Sequence, residues 1–449
     1  MSNLLGTLSL AVRSMMAQKR ALTGKVSRSS ENPNRTLPPP AGWEAGAAPT
    51  GIDFHQVESI RDALLELRRN QELHQEGALK AFLQAAREAD STVRGANGPV
   101  LKNALQKFFD RLGEWKSSAA SLPARQGVLS AGESLARAFG QVSDDLKNQR
   151  ATLDQSVRQT VTEINAVTKD ISQLNGQIGG WAAKSSVPEE LLNRRRESLR
   201  RLSGLIDTSV IDTQDGTITI TTFNGAALVA GAGNFVLESQ FDESRAREQV
   251  VSQGNDITSR VLGGRLRGEI QARDELVVPL LADLDGLAFE LSTYVNATHE
   301  LCYDLTGSPG RKFFAQPEVA AGAAGTFTMV LTSPEQLAAS IMKSAEDSEG
   351  ASTLAGLRDR PIINGQTPLD FCSNLAARRE RELAAASSEW EAEKLVLQQL
   401  KVQRARVAGT SFDEEALSLL RFQRGLEAAA RVAGVVDELI SAPEKTSSR

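Results

Sequence analysis

Cysteine, histidine and aromatic residues are all scarce in this 449-residue chain. Each scarcity removes a class of function. The only cysteines are Cys302 and Cys372, with no CxxC and no ladder of Cys and His, so a disulfide framework or a structural zinc site is not expected. Two buried, unpaired thiols are expected instead. Phe, Trp and Tyr make up 5% of the chain, too few for the stacking platforms and ligand pockets that aromatics build. A net charge of −5 leaves no electrostatic footprint for nucleic acid or an anionic membrane. No apolar run approaches the length that a bilayer requires, which argues against membrane insertion. Residues Met1 to Gln18 are apolar on one side only. They lack the basic start, solid apolar run and cleavage site of a signal peptide, so the general secretory route is not expected.

What remains is abundant Leu, Ala, Glu, Gln and Arg, the residues that favour helix. Near the start, Leu5, Leu8, Val12 and Met15 step by three and four. Near the end, Leu419, Phe422, Leu426, Ala429, Ala433, Val436 and Ile440 do the same, after an acidic entry at Asp413-Glu414-Glu415. Both are narrow a/d seams, built to lie along another helix. Ser27 to Thr50 is a loop holding Pro38-Pro39-Pro40. Helical pattern resumes near Phe54, breaks at Gly95–Pro99 and Ser121–Pro123, and continues as a long helix from about Asp144 to Gly179-Gly180. In that helix Leu153, Val157, Ile164, Val167, Ile171, Leu174 and Ile178 form one seam, with Thr160 filling a gap.

Asp207 to Glu238 changes character. It is rich in Thr, Val and Ile, and Asp215-Gly216 and Asn224-Gly225 are hairpin signals. Val261 to Glu269 is a further strand candidate. Helix returns at Ala272 to Cys302, with Val277, Leu280, Leu284, Leu287, Leu291 and Tyr294 on its seam. A loop follows to Gly325, then a short strand candidate at Thr326 to Leu331, and a last long helix at Leu369 to Val407 before the terminal one. The fold expected is mainly α with a small β insertion (α+β): an elongated molecule whose N- and C-terminal helices pair in a coiled-coil-like rod. The segments are 1–50, an assembly helix plus loop pairing with 408–449; 51–204, the first half of a helical domain; 205–270, the β-hairpin insertion; and 271–407, the second half, with a loop and strand at 303–335.

Few groupings suggest chemistry. His299 and Cys302 share a helix face, but two ligands do not make a zinc site and a nucleophile needs an oriented base. Arg194, Arg195, Arg196, Arg200 and Arg201, without interleaved aromatics, suit a solvated helix face better than a nucleic-acid contact. Asp304-Leu305-Thr306-Gly307 lacks the alternating acids of a calcium loop and suits a turn. Gly231-Ala232-Gly233 has no Walker Lys. No catalytic, metal-binding or cofactor-binding residue is expected, and no cofactor.

Several segments, in order, resemble one family. The stretch from Val407 to Glu415, with Gly409, Ser411, Phe412, Glu414 and Glu415, followed by Leu420-Arg421-Phe422-Gln423 and Ala428-Ala429-Ala430-Arg431-Val432, is similar to the entry and body of the last helix of flagellar hook-associated protein 1. Leu191-Leu192-Asn193-Arg194 with Leu202-Ser203, Gly263-Gly264-Arg265-Leu266-Arg267-Gly268 with Arg273-Asp274, and Val295-Asn296-Ala297-Thr298-His299 with Phe313-Phe314 continue the likeness. The Asn- and Pro-containing stretch that the family carries after its first helix is echoed only by Asn32-Pro33-Asn34-Arg35. Many relatives also insert a β domain after the Phe-Phe pair. Between Phe314 and Thr326 this chain has far less than the ~50 residues that a domain needs.

The resemblance implies a non-enzymatic, exported subunit of the hook–filament junction, passing through the flagellar type III channel. Its implied partners are copies of itself, the hook protein, a second, filament-side junction protein, and a cytoplasmic export chaperone on the C-terminal region. Packing would use Leu5, Leu8, Val12, Met15, Phe412, Leu419, Phe422, Leu426, Ala429, Ala433, Val436 and Ile440. A flagellin-like filament or filament-adaptor subunit and a cytoplasmic coiled-coil adaptor are the alternatives that share the two-ended helical pattern.

Overall fold

The structure, a computed structural model, describes residues 54–95, 99–182, 187–344 and 347–403. The terminal seams, Leu5 to Met15 and Phe412 to Ile440, lie outside these residues. The chain divides into two units, Met1–Val57 and Glu58–Arg449. In the first, the described residues are the opening turn of α1; the rest of the description concerns the second.

The described residues are mainly helical with a small β region. Helix α1 is Phe54–Arg94, starting where the apolar pattern resumes. Helix α2 is Val100–Lys116, with Leu101, Leu105, Phe108, Phe109, Leu112 and Trp115 buried along one face. Helix α3 is Leu122–Ala182. At 61 residues it extends about 90 Å. The expected seam is buried from Leu153 through Ile178, Thr160 included. The expected ends were wrong. Val128, Leu135, Phe139 and Val142 already continue the seam upstream of Asp144. The helix also runs through Gly179-Gly180, because two glycines near an end weaken a helix by about 1 kcal/mol each without blocking a backbone bond.

Helix α4 is Glu189–Leu205. Two antiparallel sheets follow. The first has strand order β1 (Ser209–Asp212), β2 (Ile218–Thr221), β3 (Ala227–Ala230), β4 (Gly233–Asn234). Ser209 pairs with Thr221 and Thr219 with Ala230. Both expected hairpin turns are present, with Gly216 and Gly225 at φ 77° and 85°, where only glycine sits without strain. The second sheet, unmarked by such dipeptides, is β5 (Leu237–Asp242), β6 (Arg247–Ser252) and β7 (Asn255–Asp256).

The strand expected at Val261 to Glu269 is instead helix α5, Gly264–Gln271. Gly264 has φ 75°, and a Cβ there would overlap the backbone of Leu205. That turn reverses the chain so that Leu266 and Ile270, four apart, face the core. A π-turn, Ala272–Val277, joins α5 to α6, Val278–Glu300. The α6 seam is buried at Leu280, Leu284, Leu287 and Leu291; Tyr294, expected inside, is 36% exposed, and Val295 takes its place.

The strand expected at Thr326 to Leu331 reduces to a single bridge between Phe314 and Met329. Residues 315–326 form a tight loop. Asp285 on α6 accepts the amides of Gly322 (2.8 Å) and Ala324 (3.0 Å), and Ala323 and Ala324 are buried. A short helix absent from the sequence reading, α7 (Glu349–Gly356), closes this end. Residues 368–403 form α8, beginning one residue before the expected Leu369. Burial gathers into two apolar cores. One joins the second half of α1, α2, the first half of α3, α6, the 313–339 loops, α7 and the start of α8. The other joins the second half of α3, the end of α4, both sheets and α5.

Candidate functional site

The packing residues expected at the two chain ends lie outside the described residues. The groupings that hinted at chemistry lie inside, and each is occupied by structural work. His299 is fully buried on α6. Its Nδ1 donates to the Arg311 carbonyl at 2.5 Å, and its Nε2 accepts the Ala338 amide at 2.8 Å. Burial holds the imidazole pKa down, to about 4, so the ring stays neutral and has no free nitrogen. Cys302 Sγ turns instead to the Thr298 carbonyl, 3.3 Å away. Burial raises the thiol pKa at Cys302 and pushes Cys372 up to about 12, so neither is a ready nucleophile. Both cysteines are buried and unpaired, as expected.

The Asp304 turn forms as expected. Its Oδ1 accepts from the Thr306 amide (2.8 Å), the Thr306 hydroxyl (2.7 Å) and the Ser308 amide (3.0 Å), and Gly307 supplies φ 79°. The arginine run is largely engaged within the chain. Arg200 makes a fork to Glu66 on α1, and Arg201 one to Glu163 on α3. Arg195 donates to Asn175 Oδ1 and to the Gly216 carbonyl. The run therefore clamps α4 to its neighbours. Among the described residues no group of three or more His, Cys, Asp and Glu side chains could hold a metal ion. No described helix is long and apolar enough to cross a membrane. A cleft of about 230 Å³ between the β2–β3 and β6–β7 turns is lined by Asn224, Ser252 and Asn255 and holds no titratable dyad.

The residues that carry the architecture are polar ones that the sequence reading passed over. Asn165 on α3 bonds both ways to Leu237 at the start of β5, donating to its carbonyl at 2.7 Å and accepting its amide at 2.9 Å. Asn175 donates to the carbonyls of Ile218 (2.8 Å) and Gly231 (2.9 Å). Asp154 accepts the Glu248 amide at 3.0 Å. One face of α3 thus holds the β region by its backbone. The signal is legible in retrospect. Asp154, Val161, Asn165, Thr168, Ser172 and Asn175 step by seven, four, three, four and three, a largely polar stripe beside the apolar seam. A second tie centres on buried Asp207, whose carboxylate accepts the amides of Phe223 (2.7 Å) and Leu262 (2.9 Å). Next to it His74 Nε2 accepts the Thr208 amide at 3.2 Å, and burial lowers the His74 pKa to about 4. The arrangement offers no reaction. It builds a shaped body in which helices carry a β platform.

Comparison with known proteins places this body. The family described as the helical domain of the flagellar hook-associated protein FlgK matches residues 86–314. Flagellar hook-associated protein 1 of Bacillus subtilis strain 168 is 24% identical over 438 residues, covering 88% of this chain and 86% of that protein. Flagellar hook-associated protein 1 of Salmonella typhimurium is 30% identical over 225 residues, covering 48% of this chain and 40% of that protein. Among solved structures, the flagellar hook junction protein FlgK from Burkholderia pseudomallei matches with a TM-score of 0.69 at 15% identity, over 75% of this chain and 99% of that one. That last likeness is one of fold.

Proposed function

We infer the role of this protein from its family: the chain belongs to the flagellar hook-associated protein FlgK family, whose helical domain spans its residues 86–314. It is a structural subunit of the bacterial flagellum at the hook–filament junction, and not an enzyme. The single observation that carries this reading is the family match across both apolar cores, joined to side chains whose polar atoms are spent on packing and on backbone ties.

The finer reading is that subunits polymerise into a short zone on the distal hook and that the filament-side junction protein builds on it. The terminal helices pair, in the same subunit and with neighbours, through Leu5, Leu8, Val12 and Met15 at one end and Phe412, Leu419, Phe422, Leu426, Ala429, Ala433, Val436 and Ile440 at the other. Narrow a/d seams without a wide core face support this, since such stripes are stable only against a partner helix. The subunit is an exported, extracellular component that leaves through the flagellar type III channel, with a chaperone holding the C-terminal seam beforehand.

The test replaces Leu426 by Asp. A carboxylate on a packed seam costs several kcal/mol, by the roughly 2–7 kcal/mol penalty for burying a polar group unpaired. Cells carrying Leu426→Asp should export the protein yet swim poorly and release unpolymerised filament subunits. Normal filaments on such cells would rule out the seam reading and leave the family assignment intact.

A further inference from the structure

The two apolar cores meet at one level of the molecule, and that level is charged. On α3 the first core ends at Leu153 and the second begins at Val157. On the α5–α6 helix the second core ends at Ile270 and the first begins at Ala272, where the π-turn starts. Between them Arg273 is completely buried. Its guanidinium donates to Asp154 (2.6 Å), to the Glu248 carbonyl (2.7 Å) and to Asp274 (2.8 Å). Asp274 also pairs with Arg247, and the buried Glu248 carboxylate pairs with Arg158. Helix α1 passes this level with small residues. A Cβ on Gly268 would overlap the Ala78 carbonyl and crowd Ala81. Gln149 on α3 donates to the Ala85 carbonyl at 2.7 Å.

We propose that this charged layer, together with the π-turn, is a flexural joint that lets the two cores tilt against each other without unpacking. Interdigitated methyl groups lock two surfaces, because any slide opens voids or forces rotamers off their wells. Here the layer between the cores is filled by a guanidinium–carboxylate network. Asp274 has two arginines and Arg273 has three acceptors, so the network can exchange partners as the angle changes and keep its bonds made. The π-turn interrupts the α-helical rod that would otherwise stiffen the crossing on that side, as π-turns and inserted residues do at helix bends. Helix α1 crosses on small side chains, where backbones slide past each other. Helices α1 and α3 both cross as unbroken α-helix, which makes them the elastic elements about which the tilt occurs. The joint is independent of how the terminal helices assemble.

The test uses the full-length chain with spin labels on exposed helical positions, the two native thiols being buried. The pair Lys107→Cys and Gln173→Cys spans the layer. The pairs Lys107→Cys with Ser352→Cys, and Gln173→Cys with Arg194→Cys, each stay beside one core. The distance distribution across the layer should be at least about twofold wider than either control, as hinge motions produce. Equal widths would overturn the joint. In the variant Asp154→Leu with Arg273→Met, apolar side chains merge the cores, a replacement that buried ion pairs often tolerate. The wide distribution should then narrow to the control width. Persistence of the full width in that variant would also overturn the proposal. Should the double variant fail to fold, the wild-type comparison decides.

Discussion

Asn296 and Phe314 exchange two hydrogen bonds: the Phe314 amide donates to Asn296 Oδ1 at 2.9 Å, and Asn296 Nδ2 donates to the Phe314 carbonyl at 2.9 Å. The same Oδ1 accepts the Phe313 amide at 2.8 Å. One side chain on α6 thereby feeds the backbone of two fully buried phenylalanines whose rings pack, edge-on or tilted, against Phe108 and Phe327.

Asn296→Ala should therefore cost far more than its own side chain contributes. It leaves two amides and a carbonyl buried without partners, each worth roughly 1–3 kcal/mol. A loss of about 3–5 kcal/mol in urea unfolding is expected, large for a single change. Asn296→Asp should be no rescue, since it turns a donor into a buried charge facing a carbonyl. A loss below about 1 kcal/mol for the alanine variant would mean that solvent reaches these groups.

Two buried titratable groups should pull stability in opposite directions with pH. The His74 pKa is lowered from 6.5 to about 4 by burial. Its neutral ring therefore contributes stability above pH 6.5, and that contribution is lost as pH falls towards 4. Glu269 is raised from 4.5 to about 7, by burial first, against the opposing bonds from Thr160 and the charge of Arg265. A raised carboxyl contributes stability that is full below pH 4.5 and is lost as pH rises through 7. Glu269→Gln should accordingly gain about 1–3 kcal/mol relative to wild type at pH 8 and little at pH 4. His74→Gln should flatten the acid limb between pH 6.5 and 4. Urea unfolding at a series of pH values from about 4 to 8, run on both variants, reads the two signs; a Glu269→Gln variant whose benefit grows in acid would contradict the burial of the charge.

Two glycines should respond oppositely to alanine. At Gly268 a Cβ would strike the Ala78 carbonyl, which belongs to helix backbone and cannot swing aside. Gly268→Ala should push α1 from α5 and lower stability by several kcal/mol, in the upper range of overpacking costs of ~1–3 kcal/mol or beyond. Gly113 lies within α2, with nothing within 4 Å of a Cβ. Gly113→Ala should raise stability by about 0.5–1 kcal/mol through helix propensity alone. Thermal unfolding of the two variants side by side is sufficient to separate them.

How much of this was legible beforehand depends on the range of the interaction that decides each feature. The apolar seam from Leu153 to Ile178, the turns at Gly216 and Gly225 and the Asp304 turn are settled by neighbours a few residues apart, so sequence pattern alone identified them. The arginines from Arg195 to Arg201 were readable as a helix face, but their partners, Glu66 and Glu163, are not, because nothing local pairs residues more than thirty apart. Helix α5 was mistaken for a strand for the same reason. Gly263-Gly264 weakens any local helix signal, and only the close approach of α1 and of Leu205 demands those glycines.

The sequence by itself determined a mainly helical subunit without catalytic constellations, and it identified the family through short segments in a fixed order. The tertiary structure alone decided that the interior is two cores and not one. Arg273, Asp154 and Glu248 look like ordinary surface charges in the chain, and solvation would keep them there. They are buried because α3, β6 and the π-turn, distant in sequence, converge and satisfy one another's polar groups, a balance that no local pattern encodes.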